Sequence, residues 1–248
     1  MIISMKWVPN AITLLNLLIG CVAVSMAFAG ELFQAALFTA LCSILDFLDG
    51  AIARYLKAGS ETGKQLDALA DLISFGMTPA VVMFSYITNS LQEVNQQYGV
   101  FVLPYIAFLL TAFSALRLAR FSSAKEESSW FTGLPTPANA LLIVSVPFVL
   151  HISTDASFVF RMLDSFTSNT VAIIIAVLGL SYLMVAPVRM FSLKAKSLKW
   201  RENRIRYLYL AGCLLLLITF GLPAAPLFLI FYIILSFFKN IPGCCDKL

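Results

Sequence analysis

Four carboxylates, Asp46, Asp49, Asp67 and Asp71, stand in otherwise apolar sequence and are the residues of this chain best suited to chemistry. Asp46, Asp49, Gly50, Ala53 and Arg54 recur at steps of three and four, which puts them on one face of a helix. Asp67 and Asp71 are four apart and share a face of the next helix. The short stretch 55–62 lets the two helices run antiparallel with these faces opposed, so the four acids converge near one end of both. Carboxylates this close repel, and protons or cations must neutralise them. Hard divalent ions such as Mg²⁺ or Mn²⁺ prefer carboxylate oxygen, and no His or Cys joins the pattern to suggest zinc. Two ions so held can grip a pyrophosphate and stabilise a phosphoryl transition state. One aspartate at the edge can take the proton of an attacking hydroxyl. Gly50, Ala53 and Gly63 are small where a ligand must come close. The competing reading is a structural ion-pair network, but Arg54 alone leaves most of the charge uncompensated.

The elements that carry these acids belong in a membrane. The chain of 248 residues is 60% hydrophobic and 12% charged, where a soluble domain has about 25% charged residues. The apolar residues fall in long uncharged runs, and about 20 such residues cross a bilayer as a helix. The runs lack alternation, so helices rather than barrel strands are expected. Spans are predicted at about 8–30, 32–55, 67–89, 98–120, 133–152 and 167–189. The block 207–238 is too long for one span. Gly221-Leu222-Pro223 near its middle predicts a turn, hence a hairpin of two helices. The expected fold is therefore an all-α polytopic membrane helix bundle, with a six-helix core over residues 1–190, a basic connector at 191–206, the hairpin at 207–238 and a tail at 239–248.

Lys and Arg accumulate on the cytoplasmic side of membrane proteins. With the N-terminus inside and eight spans, only Arg161 of the seventeen Lys and Arg falls outside. The N-terminus and the acidic cluster are thus expected to face the cytoplasm. The first run reads as a permanent span, too long for the core of a cleavable signal. The basic segment 194–201 reads as a topology anchor against anionic lipid headgroups, with no nucleic-acid partner expected. The five cysteines are odd in number and lack metal-type spacing; Cys21, Cys42 and Cys213 read as packing residues, and Cys244 and Cys245 as ordinary residues near the C-terminus.

The run Asp46-Phe-Leu-Asp49-Gly50-Ala-Ile-Ala53-Arg54, followed after eight residues by Gly63-Lys-Gln-Leu-Asp67-Ala-Leu-Ala-Asp71, resembles the signature of the CDP-alcohol phosphotransferase family at all of its defining positions. The resemblance implies that Asp46, Asp49 and Asp67 are ligands of a pair of divalent metal ions. It implies that Asp71 is a metal ligand or neighbour and the general base. Gly50, Ala53, Arg54 and Gly63 would line the CMP pocket, and the protein would be a homodimer. Around the signature, Pro9-Asn10 to Asn16, Ser74-Phe75-Gly76, Arg117-Leu-Ala-Arg120 and Gly133-Leu-Pro135-Thr-Pro137 look like the bacterial branch of the family that uses serine as the acceptor. That branch implies phosphatidyl transfer from CDP-diacylglycerol to L-serine at the bacterial inner membrane.

Beside the acids, Arg117 and Arg120 are placed to hold a serine carboxylate or a lipid phosphate, because guanidinium matches both in a bidentate manner. Their bland alternative is a positive-inside anchor. Asn10, Thr13 and Asn16 either hydrogen-bond the nucleotide or join helices to one another. His151, the only histidine, falls at the outer end of the fifth span, opposite the acids. An acceptor such as glycerol 3-phosphate is a rival within the same chemistry, with Lys57 and Lys64 at hand for its charge. A cation transporter is the rival of another class, but it expects polar groups through the depth of several spans. Here they crowd one end of two.

Overall fold

The computed structural model describes residues 7–56, 60–93, 102–123, 131–153, 157–190 and 200–239. The chain forms α1 (Trp7–Phe28), α2 (Leu32–Tyr55), α3 (Glu61–Asp71), a π-helical segment (Leu72–Met77) and α4 (Thr78–Glu93). A 3₁₀ turn (Leu103–Phe108) then leads into α5 (Leu109–Ser123), followed by β1 (Phe131–Thr132), α6 (Thr136–Ile152), α7 (Phe158–Thr167), α8 (Thr170–Val185) and β2 (Arg189–Met190). Helices α9 (Trp200–Phe220) and α10 (Ala225–Lys239) close the described chain. It is an all-α membrane bundle whose only sheet among the described residues is the two-residue ladder β1–β2.

Hydrocarbon offers no partner to backbone groups, so long apolar runs fold as helices that satisfy themselves. Among the described residues, four stretches are long and apolar enough to cross a membrane: α1, α2, Glu61–Gln92 and Leu103–Phe121. The apolar parts of the other described helices are shorter, and α7 and α8 pass only as a bent pair; α6 has 17 residues, about 26 Å at 1.5 Å per residue. Helix α1 packs along α2 and also against α3 and the π segment, while α6 joins α2 to α10 and α5 lies on α8. Between lipid-immersed helices, close packing of small residues drives association. Ala23, Ala27, Ala35, Ala70 and Ala80 are accordingly fully buried, with Val81, Ile87, Leu110, Ile173 and Val177 filling the core.

The third helix begins at Glu61, six residues before the expected start, because Ser60 caps it: its Oγ accepts from Gly63 N–H at 3.0 Å. It runs through the π segment into α4. The fourth span starts at Leu103 with Pro104 in its first turn, and 94–101 lie outside the described residues. The sixth span is shorter than expected and is preceded by a separate helix. Helices α7 and α8 meet at 90°, since Asn169 starts a new helix by accepting from Ala172 N–H at 3.1 Å. Helix α8 stops at Val185 because Pro187 disfavours helix in the residue before it. The C-terminal block is a hairpin: Tyr209 of α9 stacks on Phe231 of α10 with ring centres 6.0 Å apart. Its turn has Gly221 at φ 66°. Helix α9 already begins within the expected connector; 191–199 and 240–248, with Cys244 and Cys245, lie outside the described residues. Cys42 is buried, Cys213 half-buried and Cys21 exposed.

Two local devices fix the parts that matter for the site. A π turn carries an extra residue, so the π segment rotates α4 relative to Asp67 and Asp71. Its Ser74 packs so tightly on Gly20 of α1 that no Cβ fits there. Ser74 Oγ lies 3.3 Å from Asn16 Oδ1 and 3.4 Å from the Asn16 carbonyl oxygen. Further along, Gly133 has φ 77° and sits against the Met184 carbonyl. Its N–H donates to the Val188 carbonyl at 2.8 Å, and Leu134 N–H donates to the Leu183 carbonyl at 3.1 Å. The entry to α6 is thereby clamped to the exit of α8.

Candidate active site

Asp46 and Asp49 lie one turn apart on α2, facing α1 and α3. Asp49 is 5% exposed, and Thr13 Oγ1 of α1 donates to its Oδ2 at 2.7 Å. That bond draws α1 into the site and orients one carboxylate. Asp67 of α3 comes across, and one carboxylate oxygen from each of Asp46, Asp49 and Asp67 lies within 4.8 Å of the other two. Two metal–oxygen bonds of about 2.0–2.6 Å span such a distance. Asp71 is not in this set. It sits one turn further along α3 and is 9% exposed. It is close enough to Asp46, Asp67 and Asp49 to feel their charge, and to Arg117.

The donor set fits a divalent cation. It is all carboxylate oxygen, which suits hard ions. Asp67 Oδ1 and Asp71 Oδ1 are buried with no hydrogen-bond partner. Buried anionic oxygens left so carry a large desolvation cost that a cation removes.

Beside the acids opens a cleft. Asn10 and Thr13 of α1, Gly50 and Ala53 of α2 and Gly63 of α3 line it, as do Asp49 and Asp67. Asn10 Oδ1 comes within 3.0 Å of where a Cβ on Gly63 would stand, so a larger residue there would crowd the wall. Arg54 does not line the cleft. It is exposed, and its Nη1 folds back to 3.4 Å from the place of a Gly50 Cβ. Pro9, Ser60 and Lys64 do line it. The sequence reading missed Ser60: a serine ahead of Glu61 is a helix-capping signal, but nothing in its type marks it as a cleft wall.

Arg117 and Arg120, three apart on α5, part company. Arg117 turns inward and is 8% exposed. Its Nη1 donates to Thr136 Oγ1 at 2.9 Å, and its guanidinium carbon lies 4.6 Å from the centre of the Phe121 ring. Arg120 is exposed. Thr136, which holds Arg117, falls within the Gly133–Pro137 motif, but the sequence reading gave it no role of its own. Asn16 is fully buried and joins α1 to α2 and the π segment, with Cys42 Sγ 3.5 Å from its carbonyl oxygen. His151 is exposed and stacks on Phe33 at 3.9 Å. Phe33 precedes Asp46 on α2 by thirteen residues, about 20 Å of helix, so His151 is remote from the acids.

The profile of the CDP-alcohol phosphatidyltransferase family matches residues 6–186. That stretch spans α1 to α8 and holds all four aspartates. Among curated proteins, the chain is 29% identical over 189 residues to a CDP-diacylglycerol–serine O-phosphatidyltransferase of Bacillus subtilis (strain 168), covering 75% of this chain and 90% of that one. A protein of the same description from Mycobacterium leprae (strain TN) is 27% identical over 247 residues, covering 97% and 75%. One from Helicobacter pylori (strain ATCC 700392 / 26695) is 30% identical over 138 residues, 55% of each chain.

Proposed function

Because the chain belongs to the CDP-alcohol phosphatidyltransferase family, we propose that it transfers the phosphatidyl group of CDP-diacylglycerol to the hydroxyl of L-serine, giving phosphatidylserine and CMP. The observation that carries this reading is the meeting of Asp46, Asp49 and Asp67 at one end of α2 and α3, with Asp71 buried one turn further along. Asp46, Asp49 and Asp67, with Asp71 as ligand or neighbour, would hold one or two ions, Mg²⁺ or Mn²⁺. Such ions supply Lewis-acid stabilisation of the pyrophosphate charge as the phosphoryl group moves.

The chain's own groups do the rest. Asn10, Thr13, Gly50, Ala53 and Gly63 form a wall that fits the CMP half of the donor. Lys64 adds positive charge to the same cleft, and Arg54 stands at its rim. Asp71 accepts the proton of the serine hydroxyl as that oxygen forms its bond to the lipid-bearing phosphorus. The bond from phosphorus to the CMP oxygen breaks in line, and CMP leaves with the electron pair. Holding donor and acceptor together in this geometry supplies much of the acceleration. Arg117 offers its guanidinium to the serine carboxylate, while the exposed Arg120 is better placed for lipid phosphate.

We take residues 1–190 as the catalytic core, with 207–238 as an added hairpin. In this reading the enzyme is a homodimer in the bacterial inner membrane, with its N-terminus and acidic cluster on the cytoplasmic side. There, water-soluble serine and CMP exchange while the acyl chains remain in lipid.

Lys64 in the cleft gives one reason to consider an anionic acceptor such as glycerol 3-phosphate. Purified protein given labelled CDP-diacylglycerol and a panel of alcohols decides between them. CMP release with serine, abolished by a chelator and restored by Mg²⁺ or Mn²⁺, is the expected result. Release only with glycerol 3-phosphate would overturn the acceptor, and turnover indifferent to the chelator would overturn the metal.

A further inference from the structure

Arg117 and Thr136 are both buried, and a hydrogen bond joins them: Arg117 Nη1 donates to Thr136 Oγ1 at 2.9 Å. The ring of Phe121, one turn further along α5, has its centre 4.6 Å from the guanidinium carbon. Arg117 Nε is buried with no hydrogen-bond partner. A guanidinium is a rigid plane with five donors, so two fixed contacts set where the other donors point. Nη1 lies outside the edge formed by Nε and Nη2, the edge that meets a carboxylate side-on. Thr136 thus takes a donor that this edge does not use. The accepting oxygen is itself well fixed. Thr136 is β-branched and stiff about χ1. It opens α6 just after the clamp, where Gly133 N–H and Leu134 N–H donate to the Val188 and Leu183 carbonyls at 2.8 and 3.1 Å.

We infer that Thr136 is a positioning residue for the acceptor: it pins the Nη1 end of Arg117, so that the Nε edge stays open for the carboxylate of an amino-acid substrate. The inference rests on the proposed assignment of Arg117 to that carboxylate. It gives α6, which carries none of the four aspartates, a part in choosing the acceptor. The residue type suits the task. A hydroxyl oxygen accepts from the guanidinium without cancelling its charge, whereas a carboxylate at position 136 would compete with that of the substrate. A buried donor without a partner is costly, and a carboxylate on the Nε edge removes that cost. Thr136 acts through Arg117 and touches no reacting atom.

Thr136→Val keeps the shape of the side chain and removes the accepting oxygen. A hydrogen bond to a charged group is lost, so KM for serine is expected to rise about tenfold while kcat and KM for CDP-diacylglycerol stay within about twofold. Thr136→Ser restores the oxygen and should bring KM for serine back to within about threefold of the parent. Serinol, which has a hydroxymethyl group where serine has its carboxylate, serves as a competitor and should inhibit the parent and Thr136→Val equally. Thr136→Ala removes the same oxygen with less bulk and is assayed in the same way should Thr136→Val fail to fold. An unchanged KM for serine in the variant without the oxygen overturns the inference. So does an equal loss toward both substrates, a Thr136→Ser variant of parental Tm that behaves as Thr136→Val does, or serinol inhibition that weakens as much as the use of serine. If the unmodified enzyme releases CMP with glycerol 3-phosphate and not with serine, the serine reading has failed instead. KM for glycerol 3-phosphate is then measured in Thr136→Val, where a selective rise supports the hold of Thr136 on an anion-binding Arg117 and none overturns it.

Discussion

Asp71 differs from the other three carboxylates in its surroundings. Asp46, Asp49 and Asp67 offer oxygens to a common centre, and Thr13 already anchors Asp49. Asp71 stands apart from that centre, buried, with one oxygen lacking a hydrogen-bond partner and Arg117 nearby. A carboxylate that serves as proton acceptor needs a lone pair not taken by another hydrogen bond, and Asp71 Oδ1 has one. Asp71→Asn should lower kcat by about 10² to 10⁴-fold, the usual contribution of a general base. Tm should hold or rise, since the change removes a charge from a crowd of like charges. Near-normal turnover would remove Asp71 from the role. The same residue-level view separates Arg117 from Arg120, which their spacing alone could not, because α6 supplies a partner to only the first.

At the scale of elements, two irregularities set the geometry. The π segment begins at the residue after Asp71 and is wedged on α1 through Ser74, Gly20 and Asn16. It lets α3 aim its acids at α2 while α4 turns its apolar face to the core. The clamp at Gly133 ties α6 to α8 and so places Thr136 against Arg117. Gly133→Ala forces an alanine into a positive-φ conformation and drives its Cβ onto the Met184 carbonyl. Backbone strain of this kind costs about 1–3 kcal/mol before the clash is counted. Thermal unfolding in detergent should show a clear fall in Tm, with KM for serine rising as Thr136 shifts. A variant as stable as the parent would mean that the loop re-forms without the clamp.

At the scale of the whole molecule, the acids gather at one end of the bundle and His151 at the other, about 20 Å of helix away. The orientation proposed from charge bias places the acidic end in the cytoplasm. Cysteines placed singly at Lys125 and Arg161 in a cysteine-free chain test this directly. A thiol reagent that cannot cross the membrane should label Arg161→Cys in intact spheroplasts and Lys125→Cys only after lysis. The reverse pattern would invert the topology and move the site to the other face.

Residue types and their spacing alone determined that this chain is a helical membrane protein with opposed acidic faces on its second and third long helices. The hydrophobic length of α1 and α2 and the three- and four-residue steps from Asp46 to Arg54 are local properties, and helix geometry follows from them. The turn at Gly221 was legible for the same reason. Tertiary structure alone decided that Asp71 stands outside the three-carboxylate set and that Arg117 and not Arg120 is buried. Each of these depends on contacts between segments far apart in the chain. Whether a side chain is paired or buried is set by what packs against it, and no local pattern encodes that.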